Sequence, residues 1–216
     1  MFITLEGIEG SGKTSQIAHI VDFLTDEGYD CVTTREPGGT KAGERIRSIL
    51  LDPASDDLAA DAELLLYIAD RVQHLNTFIL PRLAAGKTVV CDRFFDATLV
   101  YQGYARGLEL RLIRRLHQLT CRNIKPDLTF LLDLSPQSGL SRAWAQLNDG
   151  SRTGDESRFE QETLDFHNKV RKGYLEVAGT EPERFRIIDG SLAMDQVRQK
   201  IISELTRFLN RSDEHF

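Results

Sequence analysis

Short apolar runs rich in β-branched residues recur along the chain at 2–5, 31–34, 88–91, 128–134 and 185–188. They predict five buried parallel strands. The segments between them carry helical periodicity, at 13–27, 42–51, 58–85, 108–121, 136–146, 160–178 and 194–210. Strands alternating with helices of this length imply right-handed crossovers. The expected fold is therefore a three-layer α/β architecture, a five-stranded parallel sheet with helices on both faces, and ligands bind outside the carboxyl ends of its strands. Gly28, Gly86 and Gly107 follow helical segments and read as helix stops or turns rather than ligand contacts.

Composition bounds this picture. A chain of 216 residues, 41% hydrophobic, suffices for one well-cored domain, and no repeat, linker or low-complexity stretch divides it. A single domain over 1–216 is expected. No apolar window approaches the ~20 residues that span a bilayer, and the first residues form a strand rather than a basic patch with an apolar signal segment. A cytoplasmic protein without a membrane partner is expected. Cys31, Cys91 and Cys121 are widely spaced with no Cys-x-x-Cys pair, which favours reduced thiols over a disulfide framework or zinc site. A net charge of −6 without a sustained Lys/Arg run argues against a nucleic-acid track. Small anions remain, bound by local arginines.

The chemistry begins after the first strand. Gly7, Ile8, Glu9, Gly10, Ser11, Gly12, Lys13 and Thr14 fit the phosphate-binding P-loop at every fixed position. The glycines let successive backbone N–H groups point at phosphate oxygens, Lys13 adds a positive charge, and the Thr14 hydroxyl is suited to Mg²⁺. A glycine-rich turn can simply join a strand to a helix, but the intact Gly-Lys-Thr in strand context speaks for a nucleotide site and a P-loop NTPase-type fold. Asp92 and Arg93 follow the third strand, where a carboxylate supports Mg²⁺ or its water and a guanidinium grips a phosphate, unless the pair is a structural salt bridge. Arg35 ends the second strand and Arg71 lies on the long helix, so three arginines from separate elements are placed to converge on one anion.

Together with Thr34-Arg35-Glu36-Pro37-Gly38-Gly39-Thr40, the run Leu65 to His74, Asp92-Arg93-Phe94, Tyr101-Gln102-Gly103, Arg158-Phe159-Glu160 and the run Val170 to Tyr174, the P-loop makes the chain resemble the thymidylate kinase family, over almost its whole length. That resemblance implies transfer of phosphate from ATP to dTMP with Mg²⁺, and a homodimer formed through sheet-covering helices. It implies that Lys13 and Thr14 serve ATP phosphates and Mg²⁺, with Asp92 organising metal or water. Glu9 matches the acidic P-loop residue that the family places near the deoxyribose 3′-hydroxyl. Arg35, Arg93 and Arg47 would surround the dTMP phosphate. Arg71 and Gln102 would address polar edges of thymine with Thr98 beside them, Tyr67 would stack on the base, and Pro37 would pack against the same pocket.

The lid, at 142–156, departs from the family pattern. With Glu9 in place of a P-loop arginine, a lid arginine is expected at the transferring phosphate, yet only Arg142 and Arg152 are candidates; Arg158 reads equally as a helix-start ion pair. The acceptor phosphate is already a dianion, so no general base is needed, and the polar stretch 150–154 is suited to closing over the site. Rival readings are a kinase for another nucleoside monophosphate or a deoxynucleoside, a GTP-dependent switch, and an ATPase assembly module. The switch lacks an Asn-Lys-x-Asp sequence, since Asn123-Ile124-Lys125-Pro126-Asp127 misses the spacing.

Overall fold

Five parallel strands, β1 (Phe2–Glu6), β2 (Cys31–Arg35), β3 (Thr88–Asp92), β4 (Leu128–Asp133) and β5 (Phe185–Asp189), lie in the order β2-β3-β1-β4-β5. The structure is a computed structural model that describes residues 1–150 and 154–213. Ile3 pairs with Val90 on one side and Leu128 on the other, which sets the register of the three central strands. Side chains alternate across a pleated strand. Phe2, Val89, Cys91 and Leu131 accordingly enter one core, and Ile3, Leu5, Val90, Phe130 and Leu132 enter the other.

The second core is closed by α1 (Lys13–Asp26) and α9 (Met194–Asp213). On α9 the buried residues Val197, Ile201, Leu205 and Leu209 recur every fourth position, one stripe laid on the sheet. Each such side chain contributes roughly 1.5–3 kcal/mol by burial. The first core is closed by α2 (Lys41–Leu51), α3 (Ala60–His74), α6 (Leu110–Thr120) and α8 (Leu164–Thr180). Thr40 and Thr163 start α2 and α8 by accepting hydrogen bonds from Gly43 N and Phe166 N. Ser135 does the same for α7 (Pro136–Asn148), with Pro136 at the first turn where no N–H is required.

Three expectations change. The edge strands β2 and β5 are only partly buried, Thr33, Arg35 and Ile187 being exposed, because each has one neighbouring strand rather than two. The single long helix expected over 58–85 is α3, a π turn at Leu75–Ile79 and a short α4 (Leu80–Ala84) that contains Pro81. A helical stretch also occupies a region with no predicted element, α5 (Phe95–Thr98) running into a π segment at Leu99–Ala105. Gly28, Gly86 and Gly107 all take left-handed backbone beyond helical segments with open space around them, as helix stops do.

Candidate active site

The end of β1 passes directly into the phosphate loop and α1. Gly12 precedes α1 with φ 92, and Gly10, at φ 69, lies so close to the Gly139 carbonyl that a Cβ would collide with backbone of α7. Glycine is thus required at position 10 by both conformation and space. Lys13 Nζ folds into the loop and donates to Gly7 O (3.1 Å), Ile8 O (2.9 Å) and Ser11 Oγ (3.3 Å). Burial pushes its ammonium down to about 8, reinforced by the Arg93 charge and opposed by Asp92, Glu9 and Glu6. A buried cation ringed by carbonyls gains from an arriving anion.

Thr14 Oγ1 donates to Asp92 Oδ2 at 3.4 Å, a long contact, while Asp92 Oδ1 is buried without a partner. Two oxygen ligands side by side, one orphaned, fit a hard divalent ion that takes its remaining ligands from phosphates and water. Among the described residues no group of three His, Cys, Asp or Glu side chains forms a metal cage.

Arg93 follows β3 with φ 66, unusual for a non-glycine residue. Its Nη1 donates to Tyr174 OH (2.9 Å), its Nη2 to Glu9 Oε1 (3.0 Å), and its guanidinium lies 5.1 Å from the Tyr101 ring centre. The Tyr101 hydroxyl also donates to Glu9 Oε1, at 2.6 Å. Beneath them Glu6 accepts from Phe94 N and Tyr174 OH, both at 2.8 Å. Burial, with Asp96 adding, pushes its carboxyl up to about 8.

The opposite wall is built on α3 and the stretch from Phe95 to Ala105. Arg71 is 2% exposed. Its Nε donates to Glu36 Oε2 (2.7 Å), and its Nη2 to Thr98 Oγ1 (2.9 Å) and Phe94 O (3.2 Å). Glu36 Oε1 is held in turn by His74 Nδ1 at 2.9 Å, and His74 Nε2 meets Thr34 Oγ1 at 2.6 Å. Gln102 Nε2 donates to Glu63 Oε1 at 2.7 Å, so its carbonyl is the amide group left for the cavity. Glu63 is fully buried and is also paired with Arg158 (2.7 Å) and Arg106 (3.3 Å). Arg158 is therefore the buried strut of α3 rather than a helix-start surface pair.

These walls enclose one open cleft of about 860 Å³. It brings together Glu9, Lys13, Thr14, Arg35, Pro37, Arg47, Tyr67, Arg71, Asp92, Arg93, Thr98 and Gln102, with Gly10, Ser11 and Gly12 of the loop. Gly7 and Ile8 reach it through the carbonyls that hold Lys13. Arg35 is turned to Glu44 (3.0 Å), and Arg47 makes a two-point pair with Glu156 (2.8 and 2.6 Å) while donating to Pro37 O at 2.9 Å. Both arginines line the cleft engaged by carboxylates. Arg142 lies off the cleft lining, its Nη1 on Gly190 O at 3.0 Å, and Arg152 falls outside the described residues. The segment read as lid includes the last turns of α7 and a short 3-10 turn at Gly154–Glu156. Sequence reading gave no role to Glu36, Glu63, Tyr101 or Tyr174. Glu36 and Tyr101 sit inside the motifs, but Glu63 and Tyr174 look like ordinary helix positions until the tertiary contacts are seen.

A family model described as thymidylate kinase matches residues 5–201. The chain is 55% identical over 209 residues to the thymidylate kinase of Desulforapulum autotrophicum, covering 97% of this chain and 92% of that one. It is 52% identical to that of Desulfosudis oleivorans, covering 96% and 97%. Among solved structures, thymidylate kinase from Ehrlichia chaffeensis superposes with a TM-score of 0.76 at 33% identity, over 95% of this chain and 98% of that one.

Proposed function

The chain belongs to the thymidylate kinase family and phosphorylates dTMP to dTDP; from that premise we propose how the cleft performs the transfer with ATP as donor and Mg²⁺ as cofactor. The observation that carries the reading is that a phosphate loop and a base-sized wall of one donor, Arg71, and one acceptor, Gln102, face the same cleft. Thymine offers an N3–H donor beside a carbonyl acceptor. Gln102 Oε1 accepts from N3–H, Arg71 donates to the neighbouring carbonyl, and Thr98 keeps Arg71 in plane. Tyr67 and Pro37 cover the faces of the ring. Family membership sets aside the switch and assembly-module readings.

Phosphoryl transfer needs in-line placement and positive charge around the equatorial oxygens, with little covalent work by the protein. Lys13 leaves its carbonyl cage for ATP phosphates. Thr14 and Asp92 hold Mg²⁺, which when bound neutralises charge on those phosphates. Arg93 grips the acceptor phosphate from its anchor on Glu9 and Tyr174, joined by Arg35 and Arg47 once they exchange Glu44 and Glu156 for phosphate. Glu9 serves the sugar end of the acceptor. The dianionic acceptor attacks without a general base, and Arg152, with Arg142 as the alternative, supplies the lid charge. A homodimer is the corresponding assembly, supported by Ile49 of α2 and Leu65 of α3, 46% and 57% exposed. A cytoplasmic location is supported by three free cysteines. The test of the base reading is Gln102→Ala, expected to raise the dTMP KM at least ~10-fold through the loss of a buried hydrogen bond, with the ATP KM unchanged. An unchanged dTMP KM defeats it.

A further inference from the structure

His167 on α8 is fully buried beside the cleft, and the transfer scheme above leaves it without a task. Its Nε2 lies 3.0 Å from the Phe159 carbonyl oxygen. A carbonyl only accepts, so Nε2 carries a proton. Nδ1 then points toward Glu9 Oε2, 3.4 Å away. In a neutral ring this sets a lone pair against a carboxylate oxygen, and both atoms are buried with no hydrogen-bond partner. Facing acceptors sealed from water are unfavourable, and one proton between them removes the conflict.

The consequence reaches the phosphate site through the other oxygen of the same carboxylate. Glu9 Oε1 accepts from Tyr101 OH and Arg93 Nη2, and Arg93 Nη1 donates to Tyr174 OH. Turning the Glu9 carboxylate would release the guanidinium. The groups facing the pair are Lys13 from the phosphate loop, Arg93 after β3, Tyr101 from the π segment, and Tyr174 on α8 with Glu6 behind it. Burial acts to raise the Glu9 carboxyl, but His167 and the charges of Arg93 and Lys13 hold it well below its usual range. The Glu9 carboxylate is thus the acceptor of the pair.

We propose that His167 is a positioning residue for the transfer reaction: a proton on Nδ1 ties it to Glu9 Oε2, which keeps Oε1 on Arg93 and Tyr101 and the Arg93 guanidinium aimed at the acceptor phosphate. The inference rests on the reading of Arg93 as a phosphate ligand. Two substitutions separate the ring's two contacts, because an Asn amide nitrogen overlays Nδ1 and a Gln amide nitrogen overlays Nε2. His167→Gln keeps the Phe159 contact, loses the Glu9 contact, and should raise the dTMP KM at least ~10-fold with the ATP KM within about 2-fold, the scale of a lost charge-assisted hydrogen bond. His167→Asn should stay within about 3-fold of wild type at neutral pH.

A His167→Gln enzyme with wild-type dTMP KM, or a His167→Asn enzyme whose dTMP KM rises as far as that of His167→Gln, overturns the proposal. If Arg93→Lys also leaves the dTMP KM unchanged, the fault lies in the reading of Arg93, and the proposal falls with it. If either His167 variant fails to fold, ¹⁵N spectra of the wild-type imidazole decide. Both ring nitrogens protonated at neutral pH support the proposal, and an unprotonated Nδ1 overturns it.

Discussion

Glu36 is the carboxylate that holds Arg71 in the base wall, and Glu36→Gln tests that role directly. The side chain is 3% exposed and accepts from Arg71 Nε at 2.7 Å and His74 Nδ1 at 2.9 Å. Gln is nearly isosteric, but it removes the counter-charge from a guanidinium that is itself 2% exposed. Breaking one side of a buried ion pair costs about 3–5 kcal/mol, and because the amide keeps a neutral acceptor the lower end applies, about 3 kcal/mol. In a domain of this size each kcal/mol lowers Tm by roughly 2–4 °C, so a fall of about 6–12 °C is expected in a thermal melt. The functional consequence is separate from the structural one. With one acceptor oxygen left for Arg71 Nε and His74 Nδ1, the guanidinium is held less firmly, so the donor it presents to thymine loses orientation. Steady-state kinetics should show the dTMP KM raised about 10-fold or more with the ATP KM within about 2-fold. Wild-type melting, or lost stability with an unchanged dTMP KM, would refute the idea that Glu36 orients Arg71.

Lys13→Ala should abolish most transfer in a protein that still melts cooperatively, because its charge serves phosphate rather than the core; a folded variant with full activity contradicts this. Arg152→Ala should lower kcat at least ~10²-fold with little change in dTMP affinity, with Arg142→Ala as its control; if both variants stay active, the lid-arginine reading is wrong. Asp92→Asn should raise the Mg²⁺ concentration needed for half-maximal rate, read from metal titrations at saturating ATP. Asp70 bears on pH. Its carboxyl is pushed up to about 7 by burial and by Glu36, from an ordinary value of 3.8. The folded state therefore holds this proton more tightly than the unfolded chain, and its contribution, full below pH 3.8, is lost as pH rises through about 7. Tm measured against pH should fall less steeply across that window in Asp70→Asn than in wild type, and parallel curves would refute the assignment.

What the sequence discloses is local. The phosphate loop, the Asp92-Arg93 pair and the Arg-Glu-Pro run each lie within a few residues and beside a strand end, so spacing alone places them at the carboxyl edge of the sheet. The strand runs are likewise legible, except that apolar content does not reveal which strands lie at the margins; β2 and β5 look as buried as the rest until the order is seen. The stretch from Phe95 to Ala105 escapes because its apolar residues sit on a short α turn followed by π geometry, which follows no 3.6-residue repeat. The supporting carboxylates escape for another reason. Glu63 passes unnoticed because nothing nearby in sequence shows that Gln102, Arg106 and Arg158 converge on it from other elements. The pairing of Arg47 with Glu156 escapes in the same way, since it joins α2 to a turn more than a hundred residues away.

The central claim is that the wall of Arg71, Thr98 and Gln102 makes this phosphate-loop cleft a thymine-selective acceptor site. Its most direct test is a panel of monophosphates incubated with Mg·ATP and followed by diphosphate formation. The account predicts dTMP as the best acceptor and dUMP lower by about 10–200-fold in kcat/KM, the range for one methyl group in a filled apolar pocket. dCMP, dAMP and dGMP should be poorer still, because cytosine lacks the N3–H that Gln102 accepts and the purines do not fit the wall. Comparable rates with dCMP, dAMP or dGMP would contradict it.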